Sequence, residues 1–409
     1  MANVNTYRLF QFYLVIGLFV LPFVYWPWAA IPYEIPRVWF VQRWIEGLGI
    51  LGCIISFKQS NTRPLSQAFL LLIGGFLASL VASSILGVDW HKSLVGNYYR
   101  GDGIFTLTHL LALAVAMALF FDERMKLPLL QAISWGSVMT SLWSVILAVR
   151  YYIGHDTSVS TWQGAIGATF GQPKFLTGYL LITLPIVAYL LATATRHRTK
   201  IYWIGALTLQ VLAIAFTKSW AGLAGVCLFF LGWALIGKNV RISRYVFTAS
   251  ILGLLLVIAA WGYWQYTHQL PLYIRAEGRE RIIIKGILAF TKRPILGWGW
   301  ANFDHAFAAV DWPYKFNVDA YVDKAHSSFL EVLVTTGIIG FTLYAILIGK
   351  SMQSLYARND LWYRYLLFAF ALYLFHAQTN VLSIAEEVIF WTIIGITWST
   401  KNNRDPTPR

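Results

Sequence analysis

The sequence predicts an all-α polytopic membrane protein of about twelve transmembrane helices, with one long outer loop that contains short helices. Three observations predict it. Hydrophobic residues make up 58% of the 409 and charged residues only 12%, roughly half the charge of an ordinary soluble domain. Twelve uncharged or nearly uncharged windows are long enough for spans of about 17–25 residues. Aromatic content is 17%, with 19 Trp and 22 Tyr, as expected where amphipathic rings collect at membrane interfaces. A soluble enzyme and a disordered chain are both excluded.

The windows cover residues 9–30, 38–57, 65–87, 104–121, 127–150, 176–194, 201–216, 219–237, 245–266, 327–349, 365–381 and 384–399. The first is longer than a signal-peptide core and leads into further spans, so it is expected to be a retained signal anchor. Alternate connections carry Lys58 and Arg63, Arg124 and Lys126, Arg196, Arg198 and Lys200, Lys238, Arg241 and Arg244, and Lys350, Arg358 and Arg364. The positive-inside rule puts those connections and both termini in the cytoplasm of a multi-pass cytoplasmic (inner) membrane protein. The net charge of +14 is thereby accounted for by topology, and nucleic-acid binding is set aside. Cys53 and Cys227 fall inside apolar windows and are expected to be small buried hydrophobes.

Three parts follow: helices one to nine over 1–266, a folded outer loop over 267–326, and helices ten to twelve with a cytoplasmic tail over 327–409. A loop this long is functional or disordered, and its composition argues for order. It opens with a helix expected over Arg275 to Thr291 and turns at Lys292-Arg293-Pro294. On that helix Arg279, Ile283, Gly286 and Phe290 share one stripe, which is expected to face the protein body. Arg281, Lys285 and Lys292 share nearly the opposite stripe, expected to face solvent or lipid headgroups; Arg281 is kept among the substrate-binding candidates. An inward guanidinium needs an anion, and at a membrane surface phosphate is the natural one; Glu277, Asp319 and Asp323 are the alternatives.

The loop ends at His326, at the interface, with Asp323 three residues before it and able to orient or tune it. Gly337 is eleven residues on, nearly three turns, so a continuous helix would put it about 16 Å below His326 on the same face and let another helix approach closely. The polar residues Glu34, Arg37, His91, His305, His376, Gln378, Asn380, Glu386 and Glu387 lie near window ends, where snorkelling is cheap. Of these, adjacent Glu386 and Glu387 are the pair most able to place one carboxylate toward a cavity.

These residues carry a resemblance. Arg279 with Ile283 resembles the Arg-x3-Leu motif, and His326 with Gly337 the His-x10-Gly motif, of the O-antigen ligase and O-antigen polymerase superfamily. Ser93 to Phe105 (SLVGNYYRGDGIF), Gly167 to Pro185 (GATFGQPKFLTGYLLITLP) and Pro294 to Gly299 (PILGWG) resemble further family segments. Lys174 stands at the last Asn of the Gly-Asn-Pro-Asn segment, Ser327 at an Asn that often follows the histidine, and Trp220 at an arginine, with Lys218 supplying charge two positions earlier.

The resemblance implies a membrane glycosyltransferase, independent of metal and without a cofactor, that takes a glycan from undecaprenyl diphosphate. The acceptor is a lipid-linked or protein-linked sugar or a growing polysaccharide, at the outer face. His326 and Arg279 are the catalytic candidates, His326 as base or as hydrogen-bond donor; Arg100, Lys218, Lys174, Arg281 and Asp323 are the substrate-binding ones. Charge grows on the diphosphate as the glycosyl bond breaks, so fixed cations stabilise the transition state more than the ground state. A secondary transporter of a small solute is the alternative, and an O-antigen-polymerase-type or peptidoglycan-type glycan polymerase ranks third.

Overall fold

The computed structural model describes residues 2–58, 65–236, 240–267, 279–311 and 321–399. In chain order its helices are α1 (Ala2–Val20), α2 (Glu34–Lys58), α3 (Gln67–Ile85), α4 (Trp90–Val95), α5 (Ile104–Phe120), α6 (Lys126–Tyr152), α7 (Pro173–Thr193), α8 (His197–Phe216), α9 (Trp220–Ile236), α10 (Val240–Thr267), α11 (Arg279–Lys292), α12 (Phe303–Ala308), α13 (Ser328–Ala357), α14 (Leu361–Ala377) and α15 (Ile384–Trp398). Each of the twelve apolar windows overlaps one of them. Seven are long and apolar enough to cross a membrane, and Ile104–Phe120, Trp220–Ile236 and Thr248–Trp261 are shorter apolar helices. The chain is an all-α membrane protein. Among the described residues the only strands are β1 (Thr161–Trp162) and β2 (Ala165–Ile166), a small antiparallel hairpin.

Two expectations about the spans change. The window at 9–30 is not one helix: α1 stops at Val20 and a 3-10 turn over Leu21–Phe23 carries Pro22, which has no N–H to continue the ladder. Cys53 is exposed rather than buried and Cys227 is intermediate, because an apolar window in a bundle has an outer side as well as an inner one.

The bundle centres on α7. Its apolar window is 83% buried, against 50% or less in the other long spans, and it packs on α14, α8, α6 and α9. Among the described residues of the basic connections, Lys126 and Arg358 lie at one end. Lys126 sits 5.0 Å from the Trp362 ring and 5.2 Å from Tyr189, and Arg358 donates to the Thr397 carbonyl at 3.1 Å. The opposite end carries the starts of α2, α7, α13 and α15, the end of α14, and the segments that include α4, α11 and α12.

The helix expected to run unbroken from His326 past Gly337 is interrupted. Gly337 has φ 63° and ψ −169° inside α13, a region essentially reserved for glycine. The break frees backbone groups that a second segment takes up: the N–H groups of Trp298 and Gly299 donate to Val334 and Thr335, and those of Ile338 and Ile339 donate to Pro294 and Ile295. The PILGWG element thus docks into the broken span, and non-helical backbone is tolerated there because protein covers it. The close approach that Gly337 permits is to this segment, not to another helix. A Cβ at Gly337 would overlap the Ile295 carbonyl oxygen. Gly337→Ala should cost at least about 1–3 kcal/mol from backbone strain alone, read as a lowered thermal midpoint of the purified protein; an unchanged midpoint would contradict the docking.

The polarity of α11 is in part the reverse of the expected one: Gly286 is buried and Lys292 exposed as expected, but Arg279 and Ile283 are exposed and Arg281 and Lys285 buried. Arg281, Lys285 and Ala289 are buried, while Ile283, Ile284, Ile287 and Leu288 are 44%, 37%, 49% and 36% exposed. The expectation assumed water outside the helix. Instead the cationic stems pack inward on aromatic rings, with the Lys285 ammonium 3.9 Å and the Arg281 guanidinium 5.8 Å from the Phe307 ring centroid. Gly286 leaves room for Leu330 and Phe303. Of the anticipated helix start, residues 275–278 lie outside the described residues, as do Glu277 and Asp319.

Candidate functional site

Lys324 to Ser327, just ahead of α13, is held by three clamps. The Glu331 side chain accepts from the Ala325 N–H at 2.8 Å and from Lys324 at 3.3 Å. Ser327 caps α13 by accepting from the Leu330 N–H, and donates to Gln378 at 2.7 Å. Gln378 in turn donates to Ser328 at 2.8 Å. Held between these contacts, His326 takes φ 55°, a left-handed conformation uncommon outside glycine. Such strain persists only where the surroundings over-determine it, and it clusters at functional sites.

His326 lines a cavity of about 140 Å³. Arg100, Asp102, Lys324 and Asn380 stand near it on the polar side, and Phe76, Leu107, Leu110 and Tyr344 belong to the apolar lining. Its Nδ1 has no hydrogen-bond partner among the described residues. Burial, then the charges of Arg279 and Lys174, push the imidazole pKa down to about 4, with Asp323 opposing. At neutral pH the ring is uncharged and can accept a proton.

The carboxylates around it are engaged. Asp323 does not orient the His326 ring through a hydrogen bond; it accepts from the Arg100 Nε at 2.5 Å, and Tyr99 also donates to it. Asp102 pairs with Lys324 at 2.6 Å, and its second oxygen accepts from the Asn97 N–H at 3.0 Å. Burial disfavours charge on all of these groups, yet Arg100 and Lys324 hold Asp323 and Asp102 below the usual carboxylate range. Lys324 is held above the usual lysine range by Asp102 and Glu331, again against burial. Trp300 donates to the Asp102 carbonyl at 2.8 Å, which joins the segment after α4 to the one after α11.

Arg279 donates to the Asn380 side chain at 3.1 Å, which carries it to the cavity rim from the exposed side of α11. The structure therefore brings together His326, Arg279, Arg100, Asp323 and Lys174, the last from the first turn of α7. It leaves two candidates apart. Lys218 lies 5.4 Å from the Tyr152 ring, beside Gly164 of the hairpin turn, and Arg281 is 6% exposed beneath α11.

The polar residues given a snorkelling role are for the most part buried ties. Arg37 is fully buried, donates to Glu34, the Leu21 carbonyl and the Thr169 carbonyl, and lies over Phe170. Glu34 accepts from the Ile384 N–H at 2.6 Å, and the fully buried His376 and Glu386 side chains meet at 3.0 Å. Of the adjacent carboxylates, Glu387 is the one on the cavity, held by Tyr373 and Trp391 at 2.8 and 2.9 Å. Sequence reasoning missed Lys324, Asp102 and Glu331 as a group, since Asp102 lies more than 200 residues before the other two. The one signal for Glu331 was a carboxylate in the first turn of an otherwise apolar span.

The fold and this site define a multi-pass helical membrane protein with a cation-rimmed cavity at the end opposite Lys126 and Arg358. Residues 205–345 match the family model described as O-Antigen ligase, a stretch that includes Arg279, His326 and Gly337. The match bears out the resemblance to the O-antigen ligase superfamily and supports glycosyltransfer of the O-antigen ligase kind. No curated protein matches the chain.

Proposed function

We propose that the protein transfers a glycan from undecaprenyl diphosphate to an acceptor hydroxyl at the outer face of the cytoplasmic membrane. The observation that carries this is a neutral, strained His326 on a cavity, with Arg279, Lys174 and Arg100 around it. In the reaction the acceptor oxygen forms a bond to the anomeric carbon. The bond from that carbon to the diphosphate oxygen breaks and its electron pair leaves with the diphosphate. His326 takes the acceptor proton, and the cations stabilise the growing charge. Arg100 is bound to Asp323 through its Nε before substrate arrives; a phosphate oxygen is likewise an anionic acceptor and takes Asp323's place. Lys218 and Arg281 have no part in this reading. Acceptors in view are lipid-linked or protein-linked sugars and a growing polysaccharide.

The outer location is supported by the separation of the two ends: Lys126 and Arg358 lie at one, and the cavity at the other. Asn97 and Asn302 are buried, so labelling tests the topology better at Tyr98 and Tyr321, 80% and 57% exposed. Tyr98→Cys and Tyr321→Cys in intact cells should both react with an impermeant thiol reagent, and protection of either overturns the map.

Purified protein given a lipid-diphosphate-linked glycan should release free undecaprenyl diphosphate only when an acceptor is present. Solute flux in vesicles without that release would favour the transporter.

A further inference from the structure

We infer that the outward aliphatic face of α11 is the track along which the donor's polyprenyl chain lies, leading its diphosphate to Arg279; this rests on the transferase reading above. Arg279 opens the exposed stripe, and Ile283 and Ile287 follow at intervals of four residues, with Ile284 and Leu288 beside them, all at least 36% exposed. The stripe runs about 12 Å along the helix from Arg279 to Ile287. Past the helix end, Ile295 is 62% exposed, and its segment is hydrogen-bonded onto the break in α13, where Ile338 and Ile339 are 46% and 44% exposed. One end of the strip is a guanidinium at the cavity rim. The other reaches the membrane-spanning part of α13.

Charge and apolar surface in that order fit one occupant. A membrane-spanning hydrocarbon with an anionic diphosphate head matches both ends, and a soluble partner protein matches neither. The inward turn of Arg281 and Lys285 fits as well. Cations left on the outer face would hold headgroups at several points along α11, whereas burying them leaves Arg279 as the cation of the stripe. α11 is about 21 Å long at 14 residues, too short to span, so its apolar face lies along the bilayer surface.

The test uses the full chain in lipid nanodiscs and a polyprenyl diphosphate with a diazirine in its chain near the head. Photolysis should label α11 at Ile283 or Ile287, and excess undecaprenyl diphosphate should remove the label while excess phosphatidylglycerol should not. Labelling that phosphatidylglycerol removes equally, or that falls on other helices, overturns the track. Ile283→Gln with Ile287→Gln should raise KM for an undecaprenyl-linked donor about tenfold, in line with lost apolar contact from two half-exposed side chains. It should leave kcat, and KM for a short-chain donor, unchanged; an equal rise in KM for both donors also overturns the track. Displaceable labelling in a protein that transfers no glycan would keep the track and remove the transferase, and transfer without labelling of α11 would do the reverse.

Discussion

Replacing His326 with Ala should lower turnover by about 10²–10⁴-fold, the usual range for loss of a positioned acid or base, while donor binding survives through Arg279 and Arg100. The side chain packs into no apolar core, and its neighbours Ser327 and Glu331 keep their own partners. Alanine is strained at φ 55°, so His326→Asn is the companion variant, because Asn tolerates the left-handed region. Both should lose activity, and His326→Asn should keep the wild-type thermal midpoint.

The pH profile separates the two chemical roles. With the pKa down at about 4, a base is active in its neutral form, so kcat/KM should be flat near neutrality and fall as pH drops through about 4. A bound diphosphate adds negative charge and favours the imidazolium, so the acidic limb of kcat should lie above that of kcat/KM. An imidazolium donor predicts the opposite slope, with activity falling as pH rises. A His326→Ala protein that transfers glycan at the wild-type rate would sink the assignment.

Arg279 carries the second large effect. Arg279→Ala should cost on the order of 2–4 kcal/mol of transition-state stabilisation, the range for removing one preorganised charge stabiliser, seen mainly in kcat. Arg279→Lys should also be impaired, since an ammonium cannot make the two-point contact. Arg281→Ala should behave differently: a buried guanidinium beneath α11 supports the fold, so its loss should lower the thermal midpoint, with residual activity tracking the folded fraction. A stable Arg281→Ala protein with the kinetics of Arg279→Ala would remove the distinction.

The elements of the candidate site were legible where chemistry is local. His326, Arg279 and Gly337 stood out by residue type and spacing. What misled was an assumption about surroundings. The stripe expected on α11 splits, with Arg279 and Ile283 exposed and Gly286 buried, because which residues turn inward depends on whether water or hydrocarbon lies outside, and periodicity is the same in both cases. Gly337 was read as a residue for close helix approach, and its positive φ depends on a segment some forty residues earlier in the chain. Asp323, three residues before His326, was expected to serve it, yet Arg100, far earlier in the chain, takes the carboxylate.

The sequence by itself determined that this is a helical membrane protein, where its apolar helices fall and which few charged residues had to be explained, because each of these depends on apolar length and local spacing. The tertiary structure decided which of those charges meet. Ion pairs such as Lys324 with Asp102 and Arg100 with Asp323 join residues whose separation along the chain says nothing of their distance. Their energies depend on burial and on the third and fourth neighbours present, and only the folded packing sets those.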